Sequence, residues 1–160
     1  MGISPRLDLK AAVWTVQDAD MKADRLQRVP LCAQALALLA ALPKFAGTDL
    51  LFPGRDGKKP LSDMALTQIM RRMPFKDKDG RQAVPHGLRS TFMDWSAERT
   101  AYPEDVREMA LAHAIGNDTV GAYRRGDLFE KRRHLMSDWA NFIDAPPVTT
   151  TDNVLLFKAA

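Results

Sequence analysis

One tyrosine lies in a strongly basic stretch of the chain. From Asn117 to Arg133 the sequence reads NDTVGAYRRGDLFEKRR, which places Tyr123 among five arginines and lysines within 17 residues. A phenol with a pKa near 10 is mostly protonated at neutral pH, so it becomes a nucleophile only when nearby groups help it lose its proton. Surrounding cations favour the phenolate. The alternative for a tyrosine in this setting is a surface side chain with a cation–π neighbour.

Four further polar residues lie on or between the predicted elements and could carry chemistry. His86 and Arg89 are spaced i, i+3, so they are neighbours on one side of a predicted helix. His113 ends an apolar stripe formed by Val106, Met109 and Ala110. Lys22 lies in a polar connection between two predicted strands. Taken singly, each has an ordinary structural explanation, because histidines on apolar stripes and HxxR pairs occur often without catalytic roles.

Short strands and several helices must position these residues. Residues 12–16 (AVWTV) and 28–31 (RVPL) have strand composition and predict a small hairpin whose connection projects Lys22. A short buried helix is predicted over 33–41, ahead of Pro43. A second helix is predicted in LSDMALTQIMRRM, with Ser62 or Asp63 as N-cap and with Ala65, Leu66, Ile69 and Met70 on one apolar face.

Prolines mark the beginnings of the next two helices. Pro85 begins a helix with Leu88, Phe92 and Trp95 on one buried stripe, and Pro103 lies in the first turn of the helix that leads to His113. A short helix holding Tyr123 and a last helix over about 128–143 follow. Surface loops are expected at FPGRDGKKP and FKDKDGRQ. The predicted fold class is mostly α with a small antiparallel β element (α+β).

Composition excludes several classes of protein. Cys32 is the single cysteine, which excludes an internal disulfide and a thiolate zinc cluster and fits an intracellular, reducing setting. The longest apolar run, LCAQALALLAAL, is too short to span a bilayer, and the N-terminus lacks a signal-peptide core. The 23 Lys and Arg against 20 Asp and Glu leave a net charge of only +3, so the distribution of charge must indicate the partner.

Four motifs occur in the order and spacing of one known family. Lys22, HGLR at 86–89, LAH at 111–113 and AYRR at 122–125 resemble the signature of the tyrosine recombinase catalytic domain. Within that family the chain is most similar to integrases of prophages and genomic islands. The resemblance covers about residues 10–144 and includes the stretch GAYRRGDLFEKRRHLMSDWANFI, which holds Tyr123 and the chain that follows it.

The resemblance implies a role for each matched residue. Tyr123 would attack a scissile DNA phosphodiester, leaving a 3′-phosphotyrosine and a free 5′-hydroxyl, and His86 would accept its proton. Arg89 would clamp non-bridging oxygens, with His113 donating to the same phosphate. Lys22 would protonate the departing 5′-oxygen. No cofactor, ATP or metal is expected, since cationic side chains would stabilise the charge that Mg²⁺ stabilises elsewhere.

The basic residues around Tyr123 are predicted to face the DNA backbone or to help the helices pack. They would supply affinity that is mostly independent of DNA sequence. For the last three, a solvated helix face stands as an equal alternative. The set consists of Arg124, Arg125, Lys131, Arg132 and Arg133.

The chain departs from the family pattern in two respects. The family uses a further catalytic arginine upstream of the Lys22 connection, and core-binding and arm-binding domains before that, none of which this sequence contains. Loss of one phosphate-clamping arginine would cost on the order of 3 kcal/mol of transition-state stabilisation, so the chain alone is expected to be weak or inactive. Ala112 also stands where many family members have glycine. Residues 1–144 are thus expected to form an incomplete catalytic domain, with a linker and hydrophobic tail at 145–160.

Partners and location follow from the resemblance as expectations. The partner would be double-stranded DNA attachment sites, with a homo-tetramer on DNA for the full-length protein, no membrane, and a place in the bacterial cytoplasm at the nucleoid. Whether host DNA-bending proteins take part, and whether integration or excision is preferred, stays open. Two alternatives also remain: a non-catalytic DNA-binding or protein-interaction remnant, and a helical domain whose motif matches are accidental.

Overall fold

The structure, a computed structural model, describes residues 6–17, 26–113 and 126–146. Three strands come first, and five helices follow within these ranges. The strands are β1 (Arg6–Asp8), β2 (Val13–Val16) and β3 (Gln27–Pro30). The helices are α1 (Ala33–Ala41), α2 (Ala65–Arg72), α3 (Pro85–Arg99), α4 (Glu104–Ala110) and α5 (Phe129–Asp144). This mixed architecture confirms the coarse prediction of a mostly helical chain with a small antiparallel sheet.

The sheet has the antiparallel order β1-β2-β3. The two predicted strands pair with Val13 opposite Pro30 and Val16 opposite Gln27. β1 was not predicted, and it pairs with β2 through Leu7 opposite Trp14. Its turn is held by Asp8, whose Oδ1 accepts hydrogen bonds from the backbone amides of residues 10 and 11. Pro30 suits its position because β3 is an edge strand, where a missing N–H interrupts no ladder.

The core lies among α3, α4 and α5. Phe92 and Trp95 of α3, Val106 of α4 and Leu135 of α5 form its buried centre. Trp139 adds an edge-on contact with Phe92, with ring centroids 5.5 Å apart. These residues are spaced at helical intervals on their own elements, so each helix turns one apolar side inward.

Three predictions about burial and capping are wrong. α1 was expected to be a buried helix, yet none of its residues is buried in the described part of the chain. α2 begins after Met64, with neither Ser62 nor Asp63 as its N-cap. Leu88 was assigned to the buried stripe of α3 and is instead 56% exposed. A helical apolar pattern indicates a face that can be buried but does not say what covers it.

The predicted loops are confirmed. Residues 52–60 form a turn closed by an isolated bridge between Pro53 and Pro60, and residues 75–82 form one closed between Lys76 and Gln82. Among the helices of the described ranges, none is long and apolar enough to cross a membrane.

Candidate active site

The first turn of α3 presents His86 and Arg89. Pro85 occupies the first helical position, where its missing N–H costs nothing and its fixed φ suits the helix. The side chain of His86 is exposed and makes no hydrogen bond to another described side chain or backbone group. Arg89 is partly buried, because its side chain extends toward the end of α4. The predicted pairing of the two residues on one side of the helix is therefore compatible with the structure.

α4 ends in a turn that directs His113 back toward α3. The amide of His113 donates to the carbonyl of Glu108 at 3.0 Å, and the amide of Ala112 donates to the carbonyl of Met109 at 3.2 Å. Ala112 itself has the left-handed φ of +57°. These two hydrogen bonds and the left-handed residue together form a Schellman motif. His113 therefore lies beyond the helix and is exposed, and the prediction that it extends the apolar stripe of α4 is wrong.

The guanidinium of Arg89 joins the two motifs. Its Nη2 donates to the carbonyl oxygen of Leu111 at 2.8 Å and lies 2.6 Å from Nε2 of His113. Nε and Nη1 of Arg89 make no hydrogen bond to the described residues, so their N–H groups remain available to a ligand. Because both bonds come from one nitrogen, the rest of the planar fork can present donors to an oxyanion.

The second ring nitrogen of His113 contacts a residue that the sequence analysis did not single out. Nδ1 makes a short contact with the Oε2 atom of Glu108. The side chains of His113 and Glu108 are 45% and 27% exposed, so the pair lies at the surface with one flank covered. Arg89, His113 and Glu108 thus form a continuous polar chain across α3 and the end of α4.

Lys22 and Tyr123 lie outside the described residues, as do Arg124 and Arg125. Their predicted roles stay predictions. The chain on the C-terminal side of both segments is described, however. Arg28, in β3, forms a bidentate pair with Asp127 through bonds of 2.8 and 2.7 Å. Gln27 donates to the carbonyl oxygen of Met109 at 2.9 Å. β3 therefore contacts the end of α4 and the chain that leads into α5.

The burial of Arg132 does not fit its predicted contact with DNA. Its side chain is only 1% exposed and pairs with the Asp127 carboxylate at 3.0 Å. Further donors bind the carbonyl oxygens of Arg28 at 2.6 Å and of Asp127 at 2.8 Å. A guanidinium with these partners cannot also reach a DNA phosphate while α5 stays packed on β3. Of the two roles predicted for the basic set, Arg132 has the packing role.

The other two basic residues of α5 are accessible. Lys131 is exposed. Arg133 is partly exposed, pairs with Glu130 at 3.3 Å and lies 4.8 Å from the centre of the Phe129 ring. The phosphate-contact prediction stays a prediction for these two.

The electrostatics of Asp127 follow from its partners. Burial raises the pKa of this carboxyl, but the Arg28 hydrogen bond and the charges of Arg132 and Arg28 outweigh burial and hold its pKa below the ordinary value. The Asp127 carboxyl is therefore ionised in the folded protein at neutral pH. Its negative charge offsets part of the positive charge of Arg28 and Arg132.

Sequence reasoning missed Glu108 and Arg28 for different reasons. Glu108 precedes His113 by five residues, a spacing that puts two side chains on different faces of a continuous helix. Only the Schellman turn brings them together, and glycine, its usual signal, is replaced by Ala112. Arg28 pairs across 99 residues of chain, for which a single sequence carries no signal.

A metal centre finds no support in the described ranges, where no group of three or more His, Cys, Asp or Glu side chains could hold an ion. The guanidinium of Arg89 keeps two nitrogens without a partner among the described residues, and such donors suit an anionic ligand such as a phosphate.

Comparison with known proteins identifies several related integrases. The chain is 34% identical over 141 residues to the prophage integrase IntA of Escherichia coli K12, covering 87% of this chain and 33% of that protein. It is 34% identical over 140 residues to the prophage integrase IntZ of the same strain, covering 87% and 34%. The integrase of Shigella phage Sf6 is 28% identical over 141 residues, covering 86% and 35%.

These relatives define the class of protein. The chain belongs to the integrase family represented by these phage and prophage proteins. It spans about a third of the length of the curated relatives it matches. No protein-family model and no solved structure matches it.

Proposed function

We propose that the chain is the catalytic portion of a site-specific DNA recombinase that breaks and rejoins DNA through a 3′-phosphotyrosine at Tyr123. The observation that carries the proposal is the contact between Arg89 and His113, two motif residues 24 positions apart whose side chains meet at 2.6 Å. The integrase names of the relatives support recombination as the general process.

Each step can be written with its bonds and protons. The phenol oxygen of Tyr123 attacks the phosphorus as its proton passes to His86, and the bond from phosphorus to the 5′-oxygen breaks. Lys22 gives a proton to that 5′-oxygen, leaving a hydroxyl. The free Nε and Nη1 donors of Arg89 bind the non-bridging oxygens, whose charge grows in the transition state.

Rejoining is the reverse attack by a 5′-hydroxyl on the phosphotyrosine. One phosphodiester bond is exchanged for another of similar energy, so the cycle consumes no nucleotide. The proposed partner is double-stranded DNA carrying an attachment site, held in the full-length protein by four subunits. The proposed location is the bacterial cytoplasm at the nucleoid.

A suicide substrate tests the proposal. Nicked attachment-site DNA loses a short fragment after cleavage and traps the covalent intermediate. It would be incubated with this chain and with a form extended upstream to the length of the relatives, then resolved on a denaturing gel. We expect the extended form to give an adduct, the Tyr123→Phe variant to give none, and the short form to give less.

A second outcome would favour a different function. If both forms bind the DNA but neither is trapped on it, the enzyme proposal fails and a non-catalytic DNA-binding remnant replaces it. Arg89→Lys separates charge from geometry, because lysine keeps the charge but lacks the planar fork. We expect this variant to bind DNA and to form adduct at least about 100-fold more slowly.

A further inference from the structure

The Glu108 carboxylate contacts the side of the His113 ring that faces away from Arg89. Nδ1 of His113 meets Oε2 of Glu108, while Nε2 lies 2.6 Å from Nη2 of Arg89. We propose that Glu108 is a positioning residue of this site, which holds His113 in the Nδ1–H tautomer with Nε2 directed at Arg89. The catalytic consequence of this inference rests on the function proposed above, whereas its structural content does not.

The hydrogen-bonding roles of the two ring nitrogens follow from their partners. A guanidinium has only donors, so Nη2 of Arg89 requires Nε2 to accept. A carboxylate has only acceptors, so Oε2 of Glu108 requires Nδ1 to carry the proton. Both partners therefore select the same neutral tautomer, which is the less common one for a free imidazole in water.

Glu108 also fixes the backbone that carries the ring. Its carbonyl oxygen accepts hydrogen bonds from the amides of Leu111 and His113 at 3.1 and 3.0 Å. One residue thus sets both the path of the turn and the rotation of the imidazole. An exposed histidine after a helix end would otherwise sample several rotamers, and ordering it only when substrate binds would cost entropy.

Phosphate binding would change what Nε2 must do. Nε2 accepts from Nη2 of Arg89 in this structure, so it can donate to a phosphate oxygen only if the ring carries a proton on both nitrogens and Nη2 of Arg89 turns from Nε2 to the phosphate. Glu108 offsets the charge of such a ring as the carboxylate of a Ser-His-Asp triad does, by orienting and stabilising the imidazolium without taking its proton.

The tautomer can be measured on this chain without DNA. Imidazole ¹⁵N–¹H correlation spectra above neutral pH would compare wild type with Glu108→Ala and Glu108→Gln, of which only the glutamine keeps an oxygen acceptor. Glu104→Ala is the matched control, because it removes an acidic residue of the same helix one turn away. We expect Nδ1–H in wild type, in the glutamine variant and in the control, and a shift toward Nε2–H in Glu108→Ala. An Nε2–H wild type, or an unaltered alanine variant, would overturn the inference.

Adduct formation by the extended form tests the catalytic consequence. We expect Glu108→Ala to slow trapping by about 10- to 100-fold with DNA binding unchanged, Glu108→Gln to recover part of the rate, and Glu104→Ala to match wild type. Wild-type trapping by Glu108→Ala would remove the positioning role and leave the proposed function standing. If wild type forms no adduct, the proposed function fails, and the spectra alone decide whether Glu108 sets the tautomer.

Discussion

The turn before His113 depends on Ala112 adopting a conformation that favours glycine. A side chain at φ +57° places Cβ too close to the carbonyl oxygen, which costs roughly 1–2 kcal/mol. The turn offsets this strain because it gives the backbone amides of Ala112 and His113 hydrogen-bond acceptors. Local strain is therefore present next to the candidate site.

Replacing Ala112 by glycine should stabilise the protein. We expect Ala112→Gly to raise the free energy of unfolding by about 1 kcal/mol, measured by urea denaturation, since glycine adopts the left-handed conformation without strain. Ala110→Gly, two residues earlier at the last position of α4, is the matched control and should instead lower it by about 0.5–1 kcal/mol, because Ala110 has an ordinary helical conformation and packs against the core. Destabilisation by both changes would contradict the strain argument.

The raised pKa of Tyr102 distinguishes its titration among the tyrosines of the chain. Burial, then the hydrogen bond to Asp138 and its charge, raise the pKa of Tyr102 from 10.0 to about 12. A raised pKa favours the protonated form in the folded state, so its stabilising effect is complete below pH 10 and is lost as the pH rises through 12.

Ultraviolet absorbance of tyrosinate would follow this titration. We expect a transition near pH 12 in wild type that disappears in Tyr102→Phe, leaving Tyr123 as the single phenol. Stability should fall with rising pH in this window for wild type and less so for the variant. A Tyr102 transition at the ordinary pH of 10 would show that neither the burial of the phenol nor its bond to Asp138 persists in solution.

At the scale of elements, β3 and α5 are joined by one carboxylate and two arginines. Asp127 accepts hydrogen bonds from Arg28 and Arg132, and the Phe129 ring lies 4.4 Å from the Arg28 guanidinium carbon. The side chains of Arg28 and Arg132 are 45% and 1% exposed. Because Arg132 is removed from water and Arg28 is not, their two ion pairs with Asp127 should contribute very different amounts to the free energy of unfolding.

Matched substitutions of these arginines test that difference. Arg132→Met should lower the free energy of unfolding by about 3 kcal/mol, because it removes a buried guanidinium and leaves the partly buried Asp127 carboxylate and two carbonyl oxygens without its donors. Arg28→Met should cost only about 1 kcal/mol or less, since solvent screens the exposed pair. Thermal and urea unfolding would measure both, and equal costs would refute the role assigned to burial.

The dependence of stability on pH provides a second test of the Asp127 pair. The lowered pKa of Asp127 stabilises the fold at pH values above 3.8, and this stabilisation is lost as the pH falls through the lowered pKa.

Local signals in the sequence predicted the positions of the helices well. They did not predict which helix faces are buried. Pro85 and Pro103 mark the beginnings of α3 and α4, and the range predicted for α1 matches the structure. The motif residues Arg89 and His113 were also expected at one site, and they meet. β1, the exposed faces of α1 and α2, and the partner of Asp127 depend on tertiary pairing, which local periodicity and capping do not encode.

Across the whole molecule, burial is concentrated in the C-terminal helices. Apart from Pro30 of β3, every buried apolar side chain of the described residues belongs to α3, α4 or α5. Leu38 of α1 and Leu66 and Ile69 of α2 are exposed, so these two helices gain little from burial. The free energy of unfolding should therefore come mainly from the half of the chain that also holds Arg89 and His113.

Two leucine-to-alanine changes test this distribution. Leu135 in α5 is fully buried, whereas Leu38 in α1 is 70% exposed. Leu135→Ala should lower the free energy of unfolding by about 2–5 kcal/mol, because it removes buried methyl groups and leaves a cavity. Leu38→Ala should change it by less than about 0.5 kcal/mol, since the side chain is already hydrated. The urea midpoints of the two variants check this, and a large loss in Leu38→Ala would mean that in solution α1 packs against a surface that the described residues do not supply.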